Sequence, residues 1–77
     1  MQTELVFAMD GSSSAPQRVG AWLVARGDLY TPRWVDRGDR TYLTMFVSTS
    51  IAEKMMSKVC GLHPSVRCIK HEQVPAA

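Results

Sequence analysis

The stretch PQRVGAWLVARGD, residues 16–28, decides the fold, because it is compatible with two secondary structures. A helix would begin after Ser14, continue through a capping box completed by Gln17, and end at Gly27. A strand would use the apolar run of about six residues, which is short for a helix. Gly20 also costs a helix about 1 kcal/mol relative to alanine. We therefore predict a strand here, with a helix as the alternative.

Alternating apolar residues on both sides of this stretch predict further strands. Residues 4–9 are apolar on both faces, which is typical of a central strand. Residues 29–35 are broken by Pro32 and indicate an edge strand. Residues 41–48, TYLTMFVS, alternate most regularly, and residues 65–74 form a last strand.

One helix is predicted between the last two strands, in STSIAEKMMSKVCGL, residues 48–62. Ser50 and Glu53 have the spacing of a capping box, and Gly61 ends the helix. The fold class is then α/β (α+β): an antiparallel β-meander, one main helix and a fourth strand. If residues 15–26 are a helix instead, the order becomes βαββαβ, which is ferredoxin-like.

Length and composition favour a small folded protein. The chain has 77 residues, of which 45% are hydrophobic, and we expect one domain over residues 1–74 with a loose tail at 75–77. Its formal charge is +2 and its pI about 8.8, which permits contact with nucleic acid without requiring it. We expect no membrane span, no export and a cytoplasmic location, because no long apolar run or basic leader is present.

The predicted order is strand, DGS, strand, strand, helix and strand. The matching segments are LVFAMDGSS (5–13), VGAWLVARG (19–27), STSIAEKMMSKV (48–59) and VRCIKHEQV (66–74). In this order the chain resembles the first half of a ribonuclease H-like domain. The resemblance implies that Asp10 and Glu53 are catalytic carboxylates. In that family such carboxylates hold two magnesium ions, which stabilise the attacking and leaving oxygens of phosphoryl transfer.

The sequence departs from the family pattern at the position where the family has its next acidic residue. His71 stands where the family has an aspartate, and Glu72 follows one residue later, which on a strand points to the other face. We therefore expect binding rather than cleavage, with no cofactor. A magnesium-dependent nuclease that uses Asp10, Glu53 and Glu72 is an alternative. Without a metal, Asp10 is a turn residue before Gly11 and Glu53 a capping residue.

Two cysteines and two histidines also have the chemistry of a zinc site: Cys60, His63, Cys68 and His71. The spacing between the pairs is shorter than in common zinc fingers. On a strand, Cys68 and His71 would point to opposite faces. We therefore expect two small buried cysteines, with zinc as the weaker alternative.

The segment DRTYLTMFV, residues 39–47, is similar to the aromatic strand of RNA-recognition modules. Tyr42 and Phe46 share one face with Arg40 nearby, and such rings stack on bases of single-stranded RNA. This interpretation requires the ferredoxin-like alternative. Together with Trp34, the same rings are also typical of a protein interface, either in a homodimer or with another protein.

The leading hypothesis is a small non-enzymatic binding protein that acts on a complex handling nucleic acid. In size and character it is similar to the accessory proteins of phages, including inhibitors of the anti-CRISPR type. A protein partner is expected first, with nucleic acid and a homodimer as further possibilities. The alternatives are the ribonuclease H-like nuclease and a single-stranded RNA-binding ferredoxin-like module.

Overall fold

A computed structural model describes residues 1–27 and 29–75, and Ala76 and Ala77 of the expected tail lie outside this range. The elements follow in the order β1 (Gln2–Asp10), α1 (Ala15–Val24), β2 (Arg33–Asp36), β3 (Arg40–Ser48), α2 (Ala52–Cys60) and β4 (Arg67–Val74). A 3-10 turn, Thr49–Ile51, leads into α2. Neither helix in the described part of the chain is long and apolar enough to cross a membrane.

The stretch at 16–28 begins as helix α1, so the predicted strand is wrong and the alternative order βαββαβ is present. Residues spaced by four are buried against the sheet, namely Ala15, Val19 and Leu23. Val24, next to Leu23, is 76% exposed. Such spacing follows the turn of a helix, whereas a strand alternates every second residue. Burying a valine or leucine side chain contributes about 1.5–3 kcal/mol, which offsets the cost of Gly20.

This helix also removes the second strand that the ribonuclease H-like resemblance required over residues 19–27. The four strands form one antiparallel sheet in the order β2-β3-β1-β4. β1 is central, as its apolar pattern predicts, and β3 is central as well, whereas the short β2 is at an edge. The expected meander of consecutive strands is therefore absent, because α1 separates β1 from β2 and β3 pairs with β1 instead.

One side of the sheet forms the core with the two helices. The sheet contributes alternate residues of its two central strands: Thr3, Leu5, Phe7 and Met9 from β1, and Thr41, Leu43, Met45 and Val47 from β3. The helices contribute Val19, Leu23, Ala52 and Val59. Because both helices pack on this side, the other side of the sheet has no helix on it. We call that other side the open face.

Helix α2 was predicted correctly, but its capping box does not form. Ile51 occupies the N-cap position and no side chain caps the helix. The Ser50 hydroxyl instead pairs with the Ser48 hydroxyl at 3.0 Å, because the 3-10 turn places Ser50 before the helix starts. Glu53 is an exposed first-turn residue, where a carboxylate interacts favourably with the helix dipole.

Candidate binding surface on the open face of the sheet

Three of the four predicted binding residues lie on the open face. Arg40, Tyr42 and Phe46 alternate with the buried residues of β3, so their side chains point away from the helices. Trp34 is directly opposite the buried Leu43 on the neighbouring strand, which puts it on the helix side, where it is 40% exposed. Trp34 therefore does not share a surface with the other three.

An apolar strip crosses the centre of the open face, formed by Val6, Val35, Tyr42 and Phe46. Val35 is the cross-strand neighbour of Tyr42 and is 45% exposed. Val6 and Val35 also line a shallow depression of about 440 Å³ together with Tyr42 and Arg37. Cross-strand pairs of aromatic and β-branched side chains stabilise a sheet, but these side chains remain only half-buried or exposed. The strip is therefore available to a partner.

The charges of the open face are partly separated along the strands. Arg67 on β4 pairs with Ala8 and is two strands away from Tyr42. Arg40 begins β3 and has Asp10 as its cross-strand neighbour. Neither arginine forms an ion pair with another described residue. We call this the basic end.

The opposite end carries two carboxylates. Glu4 is the cross-strand neighbour of both Phe46 and Glu72, so Glu4 is beside the Phe46 ring and Glu72 is one strand further away. Lys70 lies between the two ends and contacts Glu4 at 2.7 Å and Glu72 at 3.7 Å. Its hydrogen bond and charge interaction with Glu4 raise the pKa of Lys70 above its ordinary value. We call this the acidic end.

The three carboxylates of the nuclease alternative do not converge. Asp10 ends β1, whereas Glu72 is paired with Glu4, six residues back along the same strand. That separation is about 20 Å at the rise of an antiparallel strand. Glu53 lies on the helix side, where it lines a depression of about 340 Å³ with Thr3. No three acids, histidines or cysteines among residues 1–27 and 29–75 are placed to hold a metal ion.

Asp10 has local partners instead. Its carboxylate accepts hydrogen bonds from the Ser12 amide and hydroxyl, and these bonds lower the pKa of Asp10 below its usual value of 3.8. Its own amide donates to the Ser65 hydroxyl at 3.2 Å, and this hydroxyl pairs with His63 at 2.9 Å. The turn after β1 is thereby linked to the loop before β4.

The four zinc-type residues are also not brought together. Cys68 is opposite Phe7 and His71 is opposite Leu5, so both lie on the helix side of the sheet. The expectation that they face opposite sides is wrong, because a β-bulge at Ile69 adds one residue between them. His63 instead bonds Ser65 in the loop. Both cysteines are half-buried rather than buried as expected, and partial burial raises the pKa of the Cys68 thiol.

Sequence reasoning missed half of this surface. Val6, Arg67 and Glu72 belong to it only through strand register, which brings β1 and β4 beside β3. Alternation within each strand identifies the residues that share a face, but it does not identify the neighbouring strand. No family model matches the chain, and neither does any curated protein or solved structure, so its function is argued from this geometry.

Proposed function

We propose that this chain is a non-enzymatic binding module that recognises another protein through the open face of its sheet. The observation that carries the proposal is the apolar strip of Val6, Val35, Tyr42 and Phe46, which both helices leave uncovered. Apolar surface removed from water contributes about 25 cal/mol per Å². Aromatic side chains are also enriched at the centres of protein interfaces.

The distribution of charge favours a protein over a nucleic acid. A nucleic acid presents phosphates along its whole length, so its binding surface is positive throughout. Here Phe46 is next to Glu4, and Glu72 follows on the next strand, so both carboxylates would repel a phosphate at that end. A protein partner offers charges of both signs and suits a face with one basic and one acidic end.

Single-stranded RNA is the second candidate, and one observation supports it. The Tyr42 ring lies on the open face of a βαββαβ sheet, with Arg40 two residues away on the same strand and Arg67 two strands away. A ring between two arginines suits a stacked base with contacts to its phosphates. This arrangement covers only the basic end, so it would hold one or two nucleotides.

A nuclease has less support than either binding function. Two-metal cleavage needs carboxylates from different elements around ions about 4 Å apart. Asp10 and Glu72 lie at different ends of the sheet, and Glu53 lies on its other side. The expectation that the partner belongs to a complex handling nucleic acid stays a prediction.

The proposal is tested by replacing Thr44, at the centre of the open face, with a photo-crosslinking amino acid. The matched control carries the same group at Ser57, which is exposed on α2 on the other side of the molecule. Each protein is irradiated alone and in an extract of the organism that encodes it. We expect discrete protein adducts from position 44 and none from position 57.

The adducts separate the candidates. A protein adduct specific to position 44, whether with a second copy or another protein, supports the proposal. An adduct that nuclease digestion removes would favour single-stranded RNA instead. Equal adducts from both positions, or none from position 44, would contradict a protein-binding open face.

A further inference from the structure

The register of the sheet arranges the open face in three neighbouring rows across the strands. The middle row contains Arg33, Thr44, Val6 and Lys70. The row towards the basic end contains Tyr42, Ala8 and Arg67, and the row towards the acidic end contains Phe46, Glu4 and Glu72. An aromatic ring on β3 and a charge on β4 therefore recur on both sides of the middle row, and the charges have opposite signs.

This pattern is complementary to itself under a two-fold rotation. An axis along the middle row turns a second copy over so that its open face meets the first, and it exchanges the two outer rows. Tyr42 then faces Phe46 of the second copy, and Arg67 faces Glu72 of the second copy. Because a two-fold interface repeats each contact, two ring pairs and two opposite-charge pairs form together.

We infer that the partner of the open face is a second copy of this chain, packed sheet to sheet about this axis. The inference rests on the proposed function, because it names the partner of the same surface. Twisted sheets packed face to face keep their strands within about 30° of alignment and about 10 Å apart. Strands of the two copies would then run in opposite directions, with β3 over β3 and β4 over β4.

The other two-fold axis that joins the faces runs along the strands, and the positions of the rings disfavour it. That rotation keeps each row opposite itself and exchanges the edges of the sheet. Arg67 then faces Val35 and loses Glu72, Tyr42 faces Ala8, and Lys70 faces Arg33. The rotation gains only a contact of Arg40 with Asp10, whose carboxylate is already bonded to Ser12. The axis across the strands is the favoured one, because only this axis forms the two ring pairs.

Lys70 lies on the favoured axis and meets Lys70 of the second copy. Its charge is already balanced within each chain, since Glu4 is 2.7 Å away and Glu72 3.7 Å away. The two lysines are thus ion-paired groups rather than free cations. Arg33 at the β2 edge of the row also meets Arg33 of the second copy, and this exposed like-charge contact weakens the dimer. Thr44 and Val6 in the same row are neutral and let the two faces approach.

The size of the face predicts a weak dimer. β1 and β3 have nine residues each, so the face is about 30 Å long and about 15 Å wide at the usual strand rise and spacing. This gives about 450 Å² per copy, compared with about 800 Å² per partner in a standard interface. We therefore expect reversible association that depends on concentration.

Sedimentation equilibrium of the purified chain between about 20 µM and about 1 mM tests this. We expect the average mass to rise from monomer towards dimer over this range. Arg67→Glu and Glu72→Arg should each weaken the association about tenfold, because each turns two attractive pairs into repulsive ones. Both side chains are exposed, and circular dichroism checks that the variants fold.

The decisive sample is an equal mixture of the two single variants. In a mixed dimer both pairs between positions 67 and 72 again join opposite charges, so association should return to the level of the unsubstituted chain. The double variant should be restored for the same reason. Arg18→Glu and Glu53→Arg make the same charge changes at exposed helix positions and should leave association unchanged.

A chain that stays monomeric at about 1 mM would overturn the inference, since even a weak interface of this size should be populated there. Association without rescue in the mixture would overturn the assigned axis and its Arg67–Glu72 pairs. Neither result removes the proposed function, which fails only when position 44 gives no specific protein adduct. The two failures are therefore distinguishable.

Discussion

Asp10 accepts two hydrogen bonds from Ser12, one from the backbone amide at 2.9 Å and one from the hydroxyl at 2.7 Å. Such a carboxylate closes the turn between β1 and α1 in the way that aspartate commonly begins turns. The apolar run that ends at Asp10 therefore leads into a turn, and the Asp10 carboxylate is hydrogen-bonded within this turn. This contact makes the turn sensitive to the protonation state of Asp10.

Replacing Asp10 with alanine should lower the midpoint temperature of thermal unfolding at neutral pH. The folded-state pKa of Asp10 is lowered by its bonds to Ser12, so its stabilising effect is present above the usual value of 3.8. That effect is lost as the pH falls through the lower folded-state pKa. The difference in midpoint between the original chain and Asp10→Ala should thus be largest near pH 6 and shrink below about pH 3.8.

The matched control is Asp39→Ala in the neighbouring turn, whose side chain makes no hydrogen bond to another described residue. Its unfolding midpoint should stay close to that of the original chain across the same pH range. If Asp39→Ala shows the same pH-dependent loss, general charge and not the Ser12 contact is responsible. A constant difference for Asp10→Ala at all pH values would contradict the prediction directly.

Two glycines should respond in opposite directions to alanine. A Cβ at Gly20 on α1 meets nothing within 4 Å, so Gly20→Ala should stabilise the helix by about 0.5–1 kcal/mol. A Cβ at Gly11 would lie 2.8 Å from both the Gly38 carbonyl oxygen and the Thr41 hydroxyl, so Gly11→Ala should destabilise the protein. Urea unfolding of both variants measures these changes. A destabilising Gly20→Ala would argue against α1.

Adjacent positions at the end of α1 give a second test of the helix. Leu23 is buried in the core and Val24 is 76% exposed. Leu23→Ala should lower the free energy of unfolding by about 2–5 kcal/mol, because it leaves a cavity in the core. Val24→Ala should change it by about 0.5 kcal/mol or less. Similar losses at both positions would contradict this packing.

The strands were predictable because each carries its own signal. Residues 41–48 alternate so regularly that β3 and its two faces follow from the sequence alone. Helix α1 was not predictable in the same way, since its apolar run is short and contains Gly20. What stabilises it is the burial of Val19 and Leu23 against a sheet formed by distant residues. Tertiary packing thus decided between two local structures of similar cost.

The binding surface was predictable only within one strand. Tyr42 and Phe46 belong together because they alternate with buried residues of β3. Trp34 was grouped with them wrongly, since its face depends on pairing with Leu43. Arg67 lies on the same face as Glu72 because of a bulge at Ile69, and no local pattern in β4 indicates this bulge.

We expect that Mn²⁺ binds no site shared by the three carboxylates of the nuclease alternative. In labelled protein we expect Mn²⁺ to cause only weak, independent broadening near Asp10, Glu53 and Glu72, because these side chains lie at separate places. Amide signals in a two-dimensional NMR spectrum measure this, and Asp39→Asn serves as a control for non-specific attraction at an exposed acid. Selective broadening at all three sites at one low Mn²⁺ concentration would revive the nuclease alternative.

Removing an aromatic ring from the open face should weaken self-association without unfolding the chain. Tyr42→Ser and Phe46→Ser each delete a ring from two symmetric contacts, and rings at interface centres commonly cost more than 1 kcal/mol when truncated. We expect at least about a tenfold loss of affinity for each variant, measured by sedimentation equilibrium. Trp34→Ser is the matched control, since this ring is 40% exposed but lies on the helix side.

The comparison between the variants identifies the interface. Loss with Tyr42→Ser and Phe46→Ser, with Trp34→Ser unchanged, places the contact on the open face. An equal or larger loss with Trp34→Ser would instead place the contact at the β2 edge, where no strand of the described residues lies beside the outward backbone groups of Arg33–Asp36. The two contacts also differ in geometry, because edge pairing extends one sheet whereas the open-face dimer stacks two. Amide hydrogen exchange therefore gives an independent test, since only edge pairing would protect the outward amides of β2.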